Sequence, residues 1–173
     1  MSEKSAPYIR VENLKKYFHT KSGMLHAVDD VSFSVQKGET LGLVGESGCG
    51  KSTLGRCIIR LLESTSGRVL ITDEKGTDGY TDITKVSASQ MKELRKRVQI
   101  VFQDPYSCLN PRLPVRELIA EPLIVNRVFR DKASMQRRVR ELMSIVGLAE
   151  RLENSFPHEL DGGRRQRIGV ARA

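Results

Sequence analysis

The chain has 173 residues, of which 39% are hydrophobic and 29% are charged, and this composition excludes a disordered or collagen-like protein. No stretch approaches 18 apolar residues, and the first seven residues lack an apolar export signal, so we expect neither a spanning helix nor export. The net charge of +8 raises the possibility of a nucleic-acid or anionic-surface partner. The three cysteines lack metal-ligand spacing and indicate reduced cytosolic thiols: Cys49, Cys57 and Cys108.

The first hundred residues contain short apolar segments separated by turns. Alternating or continuous apolar runs predict strands at residues 8–17, 25–35, 40–44, 67–72 and 98–102. Helices are predicted over residues 51–62 and 88–96, and the polar residues 73–84 predict a surface loop.

From residue 104 onward the predicted strands disappear. Val115, Leu118 and Ile119 have helical spacing, with Pro122 ending or bending the helix, and a second helix over residues 132–146 stops at Gly147. We therefore expect one partial α/β domain over residues 1–173. Its parts are a β-rich core with a phosphate loop (1–103), a helical subdomain (104–160) and a final glycine-pair segment with its helix (160–173).

A phosphate-binding loop follows the predicted strand 40–44. Residues 45–53 match the pattern Gly-x4-Gly-Lys-Ser/Thr, in which glycines let backbone N–H groups crowd a phosphate. Lys51 can neutralise the β- and γ-phosphates, and the Ser52 hydroxyl can ligate Mg²⁺. A glycine-rich turn with an exposed lysine is the alternative. The predicted nucleotide-binding residues here are Gly45, Glu46, Ser47, Gly48, Cys49, Gly50, Lys51, Ser52 and Thr53.

Two further segments fit a nucleotide site. Gln103 follows the predicted strand 98–102, at the edge where open α/β sheets bind ligands, and its amide can reach Mg²⁺ or an attacking water. Taken alone, a glutamine in this place is more often an ordinary loop residue. Gly162 and Gly163 precede a basic helix, which is either an anion-binding helix start or a turn before a solvated helix.

Together these segments resemble the ATP-binding subunits of ABC transporters, essentially end to end and in the family's order. The run from Phe102 to Arg112 (Phe-Gln-Asp-Pro-Tyr-Ser-Cys-Leu-Asn-Pro-Arg), with Glu-Pro-Leu at 121–123, is similar to the branch that serves oligopeptide, dipeptide and nickel importers. The resemblance implies an α/β fold: a P-loop NTPase core of the ABC ATPase type, with an N-terminal antiparallel β part and an α-helical subdomain. It also places Tyr17-Phe18 where a ring stacks on adenine, and the spacing from Leu14 favours Phe18 of the two. Core or hairpin packing of Phe18 is the alternative.

The resemblance further implies an ATPase whose hydrolysis of Mg²⁺-bound ATP is coupled to transport. Lys51 and Gln103 would be its catalytic residues, and Ser52 and Gln103 would contact Mg²⁺. Its partners would be transmembrane permease subunits and a second ATP-binding subunit, at the cytoplasmic face of the membrane, with no direct nucleic-acid contact. The signature segment, which touches the partner's ATP in this family, corresponds to Leu160, Asp161, Gly162, Gly163 and Arg164.

The sequence departs from the family in two ways. Asp161 and Arg164 stand where the family has serine and glutamine, so we expect a weakened ATP site across the dimer, with Arg164 and Arg165 offsetting part of the Asp161 charge. The family's acidic strand and switch histidine have no counterpart. The resemblance therefore implies a truncated domain that lacks the C-terminal part of the core sheet, is poorly stable in isolation, and lacks groups needed for hydrolysis.

Two alternatives to an importer ATPase stay open at this point. One is a truncated, non-catalytic nucleotide-binding remnant of the same family. The other is a nucleic-acid-associated ABC-type ATPase, suggested by the net charge of +8. The importer-like sequence after Gln103 argues against the nucleic-acid alternative. The chain also lacks zinc-type cysteine spacing and a long coiled-coil insertion.

Overall fold

The computed structural model describes residues 6–72, 79–104 and 108–173. The chain divides into two compact units, Met1–Arg95 and Lys96–Ala173, and each is described by itself below. Over the described ranges, every helix is too short or too polar to cross a lipid bilayer. Two predicted segments, the N-terminal residues 1–5 and the importer-like residues 105–107, lie outside the described part of the chain.

The first unit is built on a four-stranded antiparallel sheet. Its strands are β1 (Ile9–Thr20), β2 (Gly23–Val35), β3 (Ser66–Thr72) and β4 (Tyr80–Asp82), in the spatial order β2-β1-β3-β4. Two helices accompany the sheet, α1 (Lys51–Ile58) and α2 (Ala88–Leu94). The predicted strands at 8–17, 25–35 and 67–72 are confirmed. The unit buries apolar side chains from both layers, including Leu14, Leu54, Ile71 and Met91.

Two predicted strands are wrong. Residues 40–44 and 98–102 are irregular, and most of their apolar side chains are exposed, with Val44 reaching 92%. A strand forms only where a neighbour completes its hydrogen bonds, and β1 to β4 pair only with one another in the described chain. The reverse error occurs at β4, which falls inside the predicted loop 73–84; residues 73–78 of that loop are outside the described ranges.

The second unit is helical. It contains α3 (Val115–Val125), α4 (Lys132–Ile145) and α5 (Gly162–Arg172), with single 3-10 turns at Glu150–Leu152 and Pro157–Glu159. Pro122 lies inside α3 and does not end it. The core is formed by side chains at helical spacing from all three helices, including Leu118, Ile119, Val139, Met143 and Ile168. Arg172 ties α5 to α3 through an ion pair with Glu121 at 2.6 Å.

Three helices end in the same hydrogen-bonded turn, the Schellman motif. The residue after the cap has a left-handed conformation in each: Arg60 after α1 (φ 52°), Arg127 after α3 (φ 52°) and Gly147 after α4 (φ 69°). Glycine is the usual choice, because a side chain there costs about 1 kcal/mol. The closing bonds are Leu61 N to Arg56 O (2.8 Å), Val128 N to Leu123 O (3.0 Å) and Leu148 N to Met143 O (2.8 Å).

Candidate functional site

The predicted phosphate loop lies between β2 and α1 in the chain, and α1 begins at Lys51, as predicted. Gly50 caps the helix with φ 92° and ψ 0°, a left-handed conformation that favours glycine. A Cβ built on Gly50 would lie 2.1 Å from the carbonyl oxygen of Ala27 in β2. The loop is therefore packed directly on the strand backbone, and only glycine fits at this position.

The Lys51 side chain folds back over the loop. Its ammonium donates to the carbonyl oxygens of Gly45 (2.8 Å) and Glu46, and its Nζ is 3.6 Å from Cys49 Sγ. The Ser52 hydroxyl sits on the exposed first turn of α1, and that turn carries no acidic residue. The cationic side chain and the helix N-terminus thus lie at the same loop, and the first turn of α1 adds no carboxylate that would oppose an incoming phosphate.

The two aromatic residues of β1 have different neighbours. The Tyr17 ring stacks on His26 with centroids 3.9 Å apart, and its hydroxyl donates to Asp29; this hydrogen bond raises the pKa of Tyr17. The Phe18 ring instead lies 4.9 Å from the ammonium of Lys16. Because one face of Tyr17 is already covered, the arrangement favours Phe18 for base stacking, which stays a prediction.

Gln103 and the glycine-pair segment both belong to the second unit, whereas residues 45–53 belong to the first. Gln103 is exposed and follows an irregular segment, since the strand predicted before it does not form. The Gln166 side chain on α5 donates to the carbonyl oxygen of Phe102 at 3.3 Å. The structure therefore joins the chain beside Gln103 to the helix that follows Gly162 and Gly163.

Asp161 is the N-terminal cap of α5. Its Oδ1 accepts the backbone N–H of Arg164 at 2.8 Å, and its Oδ2 is 3.4 Å from Arg164 Nε. A carboxylate in this place satisfies an unpaired helix donor and complements the helix dipole. The negative charge of Asp161 is thus offset in part, by the N-terminus of α5 and by Arg164.

Arg165, the second arginine expected to offset part of the Asp161 charge, directs its guanidinium at backbone carbonyl oxygens. It is only 6% exposed, and its guanidinium donates to the carbonyl oxygens of Pro157 (2.7 Å) and Leu160. These bonds fix the chain that leads into α5, a positioning role that sequence reasoning missed. A signal existed, because residue 165 falls on the same helical stripe as Ile168 and Ala171, which are buried.

Metal-ligating side chains are sparse. In the three described ranges no group of three or more His, Cys, Asp or Glu residues is placed to hold a metal ion. The Ser52 hydroxyl fits a single ligand position for Mg²⁺, which commonly binds few protein groups and takes its other ligands from phosphates and water.

Comparison with known proteins gives consistent matches. The chain is 48% identical over 165 residues to the oligopeptide transport ATP-binding protein OppF of Bacillus subtilis, covering 95% of this chain and 52% of that protein. It is 47% identical to OppF of Haemophilus influenzae, with 95% and 47% covered. The chain thus spans about half the length of these curated relatives.

A solved structure with a similar fold supports the same family. The chain superimposes on a dimeric ATP-binding cassette in a post-hydrolysis state bound to ADP and Pi, with a TM-score of 0.80, 28% identity, and coverage of 95% of this chain and 68% of that one. This similarity confirms the predicted ABC ATPase fold with its antiparallel β part and helical part. The family model for ABC transporters matches residues 28–173, and the chain therefore belongs to the ABC transporter family.

Proposed function

We propose that this chain binds Mg²⁺-ATP as the nucleotide-binding part of the ATP-hydrolysing subunit of a peptide importer, with hydrolysis needing groups that the chain does not itself provide. The observation that carries the proposal is the loop geometry, in which Lys51 lies over residues 45–50 at the start of α1. The relatives named as oligopeptide transport ATP-binding proteins support the choice of cargo class. The related cassette bound to ADP and Pi supports the choice of ligand.

Each residue group has a role under this proposal. Lys51 and the loop N–H groups hold the phosphates, Ser52 and Gln103 contact Mg²⁺, and Phe18 stacks on adenine. Bound Mg²⁺ supplies charge neutralisation on the phosphates. Gln103 additionally orients the attacking water. The remaining residues of the nucleotide contact are Gly45, Glu46, Ser47, Gly48, Cys49, Gly50 and Thr53.

Assembly follows from the same proposal. A second ATP-binding subunit packs head to tail, and its ATP contacts the signature residues Leu160, Asp161, Gly162, Gly163 and Arg164 of this chain. The related cassette is described as dimeric, which supports this arrangement. Transmembrane permease subunits hold the pair at the cytoplasmic face of the membrane. Functionally, residues 1–103 act as the core, 104–160 as the helical subdomain and 160–173 as the signature segment, with Gln103 carried by the helical unit.

Nucleotide binding tests the central claim. Lys51→Ala is expected to weaken ATP binding at least about tenfold, because a charge-assisted phosphate contact contributes roughly 1.5–3 kcal/mol. Lys37→Ala, which alters an exposed lysine near a turn, serves as the matched control. Equal ATP affinities for the wild type and Lys51→Ala, measured by titration calorimetry, would overturn the proposal.

Thiol alkylation provides an independent reading of the same site. Cys49 is exposed beside Lys51, whereas Cys57 is buried in α1, and burial raises the pKa of the Cys57 thiol. Iodoacetamide should therefore modify Cys49 first, and ATP should slow that reaction while leaving Cys57 unmodified. Peptide uptake by the assembled transporter, with and without Lys51→Ala, tests the transport role separately from binding.

A further inference from the structure

The turn between α3 and α4 exposes an aliphatic cluster. Ile124 is 56% exposed, Val125 61% and Val128 55%. All three fall within five residues at the end of α3, and Ile124 also lines an open cavity together with Lys132. The core of this unit packs against Leu118 and Ile119, nearer the start of α3. A patch of exposed aliphatic side chains, unlike a single one, marks an interaction surface.

The same turn carries basic residues whose charges are not balanced nearby. Arg127, Arg130 and Lys132 form no ion pair with any acidic side chain in the described ranges, whereas Arg138 pairs with Glu141 at 2.8 Å. Asp131 is the single acidic residue between positions 124 and 140. Its carboxylate is engaged in capping α4, where it accepts the Ser134 N–H at 2.7 Å.

The conformation of Arg127 gives an independent argument. It occupies the left-handed position of a Schellman turn that Gly147 occupies after α4. Arg60 occupies the same position after α1, but its guanidinium donates to the carbonyl oxygens of Ile83 (3.1 Å) and Val86 (2.6 Å). Arg127 makes no such side-chain hydrogen bond within the ranges that the structure describes. A charged side chain kept at a conformational cost, without an internal contact to explain it, points to a contact outside the chain.

We propose that this surface binds an anionic lipid bilayer directly. The surface, named here the basic tip, consists of Ile124, Val125, Arg127, Val128, Arg130 and Lys132. Its cations complement anionic headgroups, and its aliphatic side chains enter the interfacial region, the pairing typical of proteins that lie on membranes. Three clustered cations at a projecting turn fit a broad negative surface better than a single protein carboxylate. The proposal goes beyond nucleotide binding and gives part of the +8 charge a location.

Vesicle binding of the whole chain tests the basic tip. The probe is vesicles of equal parts phosphatidylcholine and phosphatidylglycerol, compared with vesicles of phosphatidylcholine alone, in a co-sedimentation assay. The test variant combines Arg127→Gln, Arg130→Gln and Lys132→Gln. The matched control combines Lys21→Gln, Lys37→Gln and Lys92→Gln, which removes the same net charge from exposed lysines elsewhere.

The basic tip predicts binding to the anionic vesicles that weakens with added salt and is weaker for phosphatidylcholine alone. Each tip charge removed should lower the partition coefficient about fivefold, so the triple variant should lose about a hundredfold. The control triple should lose far less. Equal losses for the two triples would overturn the proposal, because they would indicate only a net-charge effect.

A second variant separates lipid contact from misfolding. Ile124→Ser with Val128→Ser keeps every charge and is expected to lower binding to anionic vesicles while leaving ATP affinity and the melting temperature near wild type. Loss of permease association in either tip variant, with vesicle binding unchanged, would overturn the proposal in favour of a protein partner. Because ATP binding is read separately, failure of the lipid contact and failure of the nucleotide site are distinguishable.

Discussion

Asp161 and Arg164 form a closed unit at the start of α5. The carboxylate accepts the Arg164 backbone N–H at 2.8 Å and simultaneously lies 3.4 Å from the Arg164 guanidinium. From the sequence, we expected the charge of Asp161 to act on the ATP triphosphate held by a second subunit. In the structure the Asp161 carboxylate caps the N-terminus of its own helix. The effect of its charge on a bound phosphate therefore depends on how far Arg164 neutralises that charge.

Substitutions at Asp161 separate capping from charge. Asp161→Ser keeps a capping oxygen and removes the negative charge, so we expect stronger ATP-driven dimerisation with little change in stability. Asp161→Ala removes the cap as well and should lower the free energy of unfolding by about 1 kcal/mol. Size-exclusion chromatography with and without ATP, together with urea unfolding, measures both. Unchanged dimerisation in Asp161→Ser would show that the charge is fully balanced by Arg164.

Gly50 and Gly55 form a matched pair in and beside α1. Gly50→Ala should abolish ATP binding and destabilise the first unit, because its Cβ would lie 2.1 Å from the Ala27 carbonyl oxygen. A Cβ at Gly55 meets nothing within 4 Å, and Gly55→Ala should stabilise α1 by about 0.5–1 kcal/mol. Calorimetric ATP titration and thermal unfolding of both variants check this. Comparable effects in the two variants would contradict the packing described at Gly50.

Arg127 and Gly147 offer opposite changes at the same position of the same turn. Arg127→Gly relieves the left-handed conformation and should raise the free energy of unfolding by about 1 kcal/mol. Gly147→Ala should lower it by a similar amount, and its Cβ would also press on the Arg167 guanidinium, 2.6 Å away. Urea unfolding of the two variants gives the signs. A lower free energy of unfolding in Arg127→Gly would mean that the arginine side chain stabilises the fold by more than its left-handed conformation costs.

Asp131 predicts a specific loss of stability in acid. The backbone N–H of Ser134 holds the pKa of the Asp131 carboxyl below its usual value. The carboxylate therefore stabilises the folded chain fully above the unfolded pKa of about 3.9, and this contribution disappears as the pH falls through the lower folded value.

The test compares wild type with Asp131→Asn, in which the side chain no longer titrates. At neutral pH the wild type should be the more stable of the two, and the difference should shrink as the pH is lowered into the acid range. Urea midpoints measured across a pH series give this difference. A constant difference at every pH would contradict the assignment.

The sequence pattern predicted those helix boundaries that depend only on neighbouring residues. The start of α1 at Lys51 and the end of α4 before Gly147 follow from glycine position and helical spacing. Residues 40–44 and 98–102 carry the pattern of buried strands but lack a pairing neighbour in the described chain, and pairing cannot be deduced from a segment's own residues. β4 was missed because three residues are too few to show an alternation.

In the candidate site, too, the sequence predicted only the contacts that neighbouring residues make. The loop pattern and its helix identified the phosphate contact, because contiguous residues supply it. The inward turn of Arg165 depends on carbonyl groups of residues 157 and 160, and the left-handed turn at Arg127 on hydrogen bonds to α3. The first is a tertiary contact and the second a local helix-ending turn, but an arginine also adopts other conformations, and neither choice is marked in the local sequence beyond the helical register.

The pair of hydrogen bonds from Arg60 has a mechanical consequence. They fasten the far end of α1 to the carbonyls of Ile83 and Val86, immediately after the edge strand β4, while the near end of α1 begins at the phosphate loop. Both ends of α1 are therefore anchored to other parts of the first unit. We therefore expect a displacement of Lys51 by a ligand to reach the margin of the sheet, because eight helical residues and one guanidinium connect the two.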